Sequence, residues 1–430
     1  MQQLTGLDAS FLSNGARTRS GHVGTVCLLD PSTAKEPLTL DRFTQAIEPR
    51  LFLLPNFKKR LVELPLSLEP AYFVDDDEFD IEFHVRELTL PRPGDDKQLA
   101  EQVSRLHARP LDRSRPLWEV YLVSGLSGDR LAIYSKVDHT VLEGSDRDLL
   151  TAVLDLTPER RELPRRRSQP RSSGLGQLFK SAISVASQSL RVAQQTANVL
   201  RLAPSIVSAV ARTVTRSVEE PAVEEVGRRA PRTPFNAAIT QRRRWAFCSV
   251  PRTDVERIER AAQLSGDAVV RALAAGGLRR WLIEHESLPA APLVAAVPAD
   301  GLFARLPTQH ADPKERLHAL RGGAAVRPIP ARLRTTDRIN AFNLVLSTTA
   351  GPNVPLYLAG AELTGSYPVS AIADGHGLTI AVIRLRDRLY FGITACRELV
   401  PDADRLATYI RDELRVLKKA VRKPLEWVGG

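Results

Sequence analysis

Three cysteines in 430 residues, Cys27, Cys248 and Cys396, leave one unpaired in any disulfide scheme. That count fits a reducing compartment better than a cross-linked secreted scaffold. Long apolar runs are missing too, since no stretch approaches the roughly 20 residues a membrane span requires. The opening Met1–Asp8 has neither a basic start nor an apolar core, so no secretory leader is expected. The eight histidines are scattered, no two sit four residues apart, and no Cys-x-x-Cys occurs, which argues against the common zinc patterns. A Gly-x-Ser-x-Gly elbow is absent, so nothing suggests a serine acyl-enzyme. Lysine is scarce as well: 10 residues against 50 arginines.

What is present is an ordinary globular composition. Hydrophobic residues make up 43% and charged residues 26%, enough apolar surface for two domains with full cores. The net charge of +10 fits an anionic surface or an anionic substrate such as a coenzyme A thioester. Nucleic acid is not expected, because the basic residues lack aromatic interleaving or a known module.

Three regions separate along the chain. Residues 1–156 mix strand and helix patterns: His22–Leu29, Leu117–Val123 and Leu131–Val137 read as strands, and Leu99–Ala108 and Arg147–Leu154 as helices. Residues 157–232 begin with Arg160, Arg161 and Arg165–Arg167 among Pro and Ser, a basic linker. Leu175–Val218 then has helical periodicity, either a crossover helix packed on its own domains or a basic amphipathic surface resting on lipid. In residues 233–430, Asp254–Ala262, Asp267–His285 and Asp402–Val421 read as helices, and Leu293–Val297 and Phe342–Ser347 as strands. Leu378–Leu385 and Arg388–Ala395 form a hairpin across Arg386-Asp387. Strands and helices intermixed in both halves predict an α/β or α+β architecture in two units.

The chemistry concentrates in Lys136-Val-Asp-His-Thr-Val-Leu-Glu-Gly144. A strand end holds a histidine rigidly while its imidazole faces a cleft, and His139 has a proton affinity suited to deprotonating an alcohol. Neighbours in an extended strand point to opposite sides, so Asp138 need not touch the His139 ring. An acid four residues on, Glu143, can fold back to brace the loop.

This segment resembles the His-His-x-x-x-Asp-Gly motif of coenzyme A-dependent acyltransferases, with Asp138 in place of the first His and Glu143 in place of the Asp; His139 and Gly144 are kept. Arg109–Glu119, with Pro116-Leu117-Trp118, is similar to a block of the wax ester synthase/diacylglycerol acyltransferase family. So are Leu4–Phe11, His22–Gly24, Val74–Asp80, Thr233–Asn236, Tyr367–Ser370 and Arg397–Asp402. Asp267 keeps half of an Asn-Asp pair whose other half is Gly266.

The resemblance implies an α/β, two-domain fold of the chloramphenicol acetyltransferase type, with mixed sheets flanked by helices. Its C-terminal domain is shortened between Pro298 and His310 and between Leu320 and Phe342. It further implies acyl transfer from acyl-coenzyme A to diacylglycerol or a long-chain alcohol, with His139 as general base. Asp138, Glu143 and Gly144 would orient the motif, and Pro116, Leu117, Trp118 and Asp267 would bind substrate or shape the site. No cofactor is held permanently; acyl-coenzyme A is the co-substrate and a lipid alcohol the acceptor. A cytoplasmic location is expected, with peripheral contact to the inner membrane or lipid droplets. A lipid- or partner-binding protein on the same fold is the alternative, and the two differ over His139.

Overall fold

The computed structural model describes residues 21–62, 72–142, 152–159, 230–298, 302–321, 327–328 and 341–422. These residues fall in one compact unit, Gln2–Leu163 with Ala230–Gly430; the other unit, Met1 with Pro164–Arg229, lies outside them.

In the first half the elements are β1 (His22–Asp30), α1 (Leu40–Ile47), β2 (Lys59–Val62), β3 (Tyr72–Asp75), α2 (Ile81–His84), β4 (Val85–Thr89), α3 (Asp96–Ala108), β5 (Trp118–Ser124), β6 (Leu131–Asp138) and α4 (His139–Leu142). The second half begins with β7 (Arg243–Pro251), α5 (Arg252–Ala262), α6 (Gly266–Glu284), β8 (Leu293–Val297), β9 (Leu302–Leu306) and α7 (Pro313–Arg321). It continues with β10 (Arg327–Pro328), β11 (Leu344–Ala350), β12 (Tyr357–Leu358), β13 (Ala361–Val369), β14 (Leu378–Leu385), β15 (Arg388–Cys396) and α8 (Ala403–Ala420). Nearly every element read from periodicity is present within a few residues. The pattern at Arg147–Leu154 falls largely outside the described residues, and the basic linker and Leu175–Val218 wholly so.

Two mixed sheets carry the core. One has the order β12-β13-β1-β6-β5-β4 and the other β10-β9-β8-β11-β14-β15-β7. The second is built entirely from the second half. The first borrows β12 and β13 from it, so that β13 pairs antiparallel with β1, Gly24 opposite Val369. This pairing crosses more than three hundred residues of sequence and has no local signal.

Close approach explains two glycines. A Cβ on Gly24 would lie 2.0 Å from the Ser135 carbonyl oxygen, and one on Gly392 would lie 1.8 Å from that of Pro368. At Gly24 the β1–β6 pair closes tightly; at Gly392 the strand β15 lies directly against β13 of the other sheet.

Helix α3 ties the halves together. A reciprocal Asp95–Gln98 capping box starts it, and Leu99, Val103 and Leu106 are buried along one face. On its side toward β7, Ser104 Oγ accepts the Trp245 N–H at 2.8 Å. Strand β6 alternates in sequence yet is buried along nearly its whole length, because β1 and β5 flank it and α3 engages its polar position Lys136.

Candidate active site

β6 delivers the motif to the sheet edge. The Asp138 N–H donates to the Leu117 carbonyl at 2.9 Å and the His139 N–H to the Gly21 carbonyl at 3.1 Å. The Pro116-Leu117-Trp118 block therefore braces the motif through its backbone. Pro116 and Leu117 are buried. Trp118 is fully buried, donates from Nε1 to the Phe57 carbonyl at 2.8 Å, and stacks on the His84 ring at 4.5 Å.

Asp138 and His139 diverge, as extended neighbours do. One carboxylate oxygen of Asp138 accepts from the Thr140 N–H at 3.1 Å and the Thr140 hydroxyl at 2.8 Å. The other lies 3.9 Å from His22 Nε2. Burial pushes the His22 ring well below its ordinary range, and the positive charges of Lys136 and Arg243 push it further. The ring is thus neutral near pH 7, and its contact with Asp138 is polar rather than an ion pair. His139, in contrast, is exposed at the start of α4.

Beneath the strand end lies a polar layer that sequence reading did not single out. Lys136 is fully buried, and its ammonium donates to the Leu106 carbonyl at 3.0 Å and to the Arg109 carbonyl. It therefore adds a donor to carbonyls at the C-terminal end of α3, where the Arg109 N–H also reaches the Leu106 carbonyl at 3.3 Å and a positive charge suits the helix dipole. Burial lowers its pKa to about 8. His107 Nε2 lies 3.2 Å from the Ser370 carbonyl and so carries the proton; Nδ1 accepts from the Tyr134 hydroxyl at 2.9 Å. Burial, then Lys136 and Arg243, bring the His107 pKa down to about 3. Burial also raises Tyr134 well above its ordinary range, which keeps its proton in this bond. The one hint in the sequence is a lysine in the midst of the mostly apolar run Leu131–Val137.

Asp267 is not gathered here. It sits in the first turn of α6 and pairs with Arg384 on β14. Glu143 and Gly144 lie outside the described residues, as does Leu4–Phe11. A cavity of about 350 Å³ opens where α3 meets β7, lined by Arg105, Arg242, Arg243, Arg244, Arg397 and Glu101 among others. All three cysteines are buried, and none is in a disulfide.

The two sheets, with a histidine presented at the end of a central strand, define an acyltransferase of the chloramphenicol acetyltransferase-like class. A solved structure supports this directly: the wax ester synthase/diacylglycerol acyltransferase from Marinobacter aquaeolei VT8 matches with a TM-score of 0.72 at 27% identity, over 98% of this chain and 100% of that one. The model of the wax ester synthase/diacylglycerol acyltransferase catalytic domain matches residues 4–269, and that of the WS/DGAT C-terminal domain matches residues 320–418. A Mycobacterium tuberculosis protein named as a diacylglycerol O-acyltransferase is 32% identical, covering 97% of this chain and 90% of its own. The O-acyltransferase WSD of Acinetobacter baylyi is 27% identical over 98% of both. The chain belongs to the wax ester synthase/diacylglycerol acyltransferase family.

Proposed function

We propose that the chain transfers a fatty acyl group from acyl-coenzyme A to diacylglycerol or a long-chain alcohol, with His139 as general base. The observation that carries this is the presentation of His139: its backbone is pinned to Gly21 at the end of a buried strand, while its side chain is exposed.

An imidazole nitrogen takes the proton of the acceptor hydroxyl as the oxygen attacks the thioester carbonyl. The tetrahedral intermediate collapses, the C–S bond breaks, and the departing thiolate takes that proton back from the imidazolium. The products are the ester and free coenzyme A, with no acyl-enzyme. General-base help of this kind contributes about 10²–10⁴-fold; positioning of the reactants and stabilisation of the oxyanion supply the remainder. Asp138 acts as a positioning residue, since its carboxylate staples Thr140 at the turn that carries His139.

The division into residues 1–156, 157–232 and 233–430 belongs to this reading, supported by a seven-stranded sheet drawn wholly from the last part. Among the described residues no helix is long and apolar enough to cross a membrane. Contact with a lipid surface is assigned to the basic segment between the halves, which lies outside the described residues.

The test is product formation by the purified chain from a long-chain acyl-coenzyme A with diacylglycerol or hexadecanol. Triacylglycerol or wax ester supports the reading. A folded protein that makes neither overturns it and favours a lipid- or partner-binding role.

A further inference from the structure

Two consecutive carbonyls at the start of β5 face opposite neighbours. That of Leu117 receives the Asp138 N–H at 2.9 Å, on the β6 side. That of Trp118 turns the other way and lies 2.7 Å from Nδ1 of His84, the last residue of α2 before β4 begins. Backbone pairing between β4 and β5 starts at Val85 and Val120. The imidazole therefore supplies a donor where the main-chain ladder has not yet begun. One short stretch of main chain is thus held on one side by the motif and on the other by a histidine ring.

A carbonyl only accepts, so Nδ1 of His84 carries the proton and Nε2 presents a lone pair. The ring is fully buried, and Nε2 has no hydrogen-bond partner among the described residues. Burial holds the pKa of this histidine below its ordinary range, so the ring is neutral near pH 7. A buried acceptor left unmatched is destabilising. Stacking does not call for it: the ring lies 4.5 Å from that of Trp118 and 5.2 Å from that of Phe79, at 14° to each. A phenyl ring would fill the same contacts and carry no unmatched nitrogen. What the imidazole adds is one directed N–H, aimed at the carbonyl next to the one that holds Asp138.

Trp118 also pairs across the sheet with Val137, the residue before Asp138. We propose that His84 is a positioning residue of the acyltransferase site: by gripping the Trp118 carbonyl it fixes the main chain from which the Asp138–His139 turn hangs. The assignment rests on the acyl-transfer reading above, and the effect passes through the backbone of Leu117 and Trp118.

Two replacements in the full chain separate positioning from packing. His84→Phe keeps the stack and loses the donor; His84→Asn loses most of the stack and keeps an N–H where Nδ1 lies. The kcat of His84→Phe should fall about ten- to hundredfold, with KM for acyl-coenzyme A and for the acceptor unchanged. His84→Asn should retain most of the wild-type kcat, although its midpoint in urea falls further than that of His84→Phe. Activity and stability then rank the two variants in opposite orders, which packing alone would not produce. Hydrogen exchange gives a readout that needs no turnover: in His84→Phe the Asp138 amide should exchange about tenfold faster, while amides of the β14–β15 hairpin keep their wild-type rates. A kcat that simply follows stability, a wild-type kcat in His84→Phe, or unchanged exchange at Asp138 would overturn the assignment. If His84→Asn does not fold, the kcat and exchange of His84→Phe decide it. If the wild type makes no ester, the acyl-transfer reading fails by itself, and exchange at Asp138 still decides whether His84 holds the motif.

Discussion

Asp138 reaches across the β1–β6 pair to within 3.9 Å of His22, while its other carboxylate oxygen holds Thr140. The residue standing where the family motif has its first histidine is therefore turned inward, away from the proposed base. Through Thr140 it holds the turn that carries His139.

Replacement at this position separates shape from charge. Asp138→Ala removes the acceptor of two hydrogen bonds and leaves the buried Thr140 hydroxyl without it. A loss of about 1–3 kcal/mol in urea unfolding is expected. Asp138→Asn keeps an acceptor oxygen and should cost less than about 1 kcal/mol. The same order is expected in kcat, with Asn retaining most of the activity that Ala loses. Equal loss in both variants would mean that the charge, not the staple, is what matters.

Trp118→Phe tests the brace behind the motif. It deletes the bond to the Phe57 carbonyl and part of the stack on His84. The expected cost is about 1–3 kcal/mol, seen as a lowered midpoint in denaturant. Unchanged stability would show that the tryptophan is not structural.

The buried histidines set an acid limit. His107 titrates near 3 in the folded chain against 6.5 when free, and His22 moves in the same direction. Between those values the unfolded chain binds the extra proton and the folded one does not. Stability is therefore complete above about pH 6.5 and falls as pH drops through that window, by about 1.4 kcal/mol per pH unit for each such histidine. Unfolding free energies measured from pH 7 to 4 should show this slope, and His107→Gln should make it shallower. A slope unchanged in the variant would contradict the assignment of a neutral buried ring.

Local patterns revealed much of the fold. The hairpin of β14 and β15, the helices α5, α6 and α8, and strands β1, β5 and β6 each follow from periodicity and turn residues within one stretch. The placement of β13 beside β1 does not, because the pairing is selected by tertiary packing and not by anything near Ala361–Val369. For the same reason His139 was legible from its motif, whereas the layer of His22, His107 and Lys136 was not. Its members lie on β1, α3 and β6, and each looks unremarkable until the sheet brings them together. The arginine cavity likewise draws on three segments, of which only the run Arg242–Arg244 is visible as a cluster in the sequence.

The most direct measurement is the rate of ester formation by His139→Ala, with acyl-coenzyme A and the preferred acceptor saturating. Because the side chain is exposed, the variant should fold with wild-type stability. Its kcat should fall by about 10²–10⁴-fold. A folded His139→Ala protein that turns over as fast as wild type would contradict the account of the base while leaving the family assignment in place.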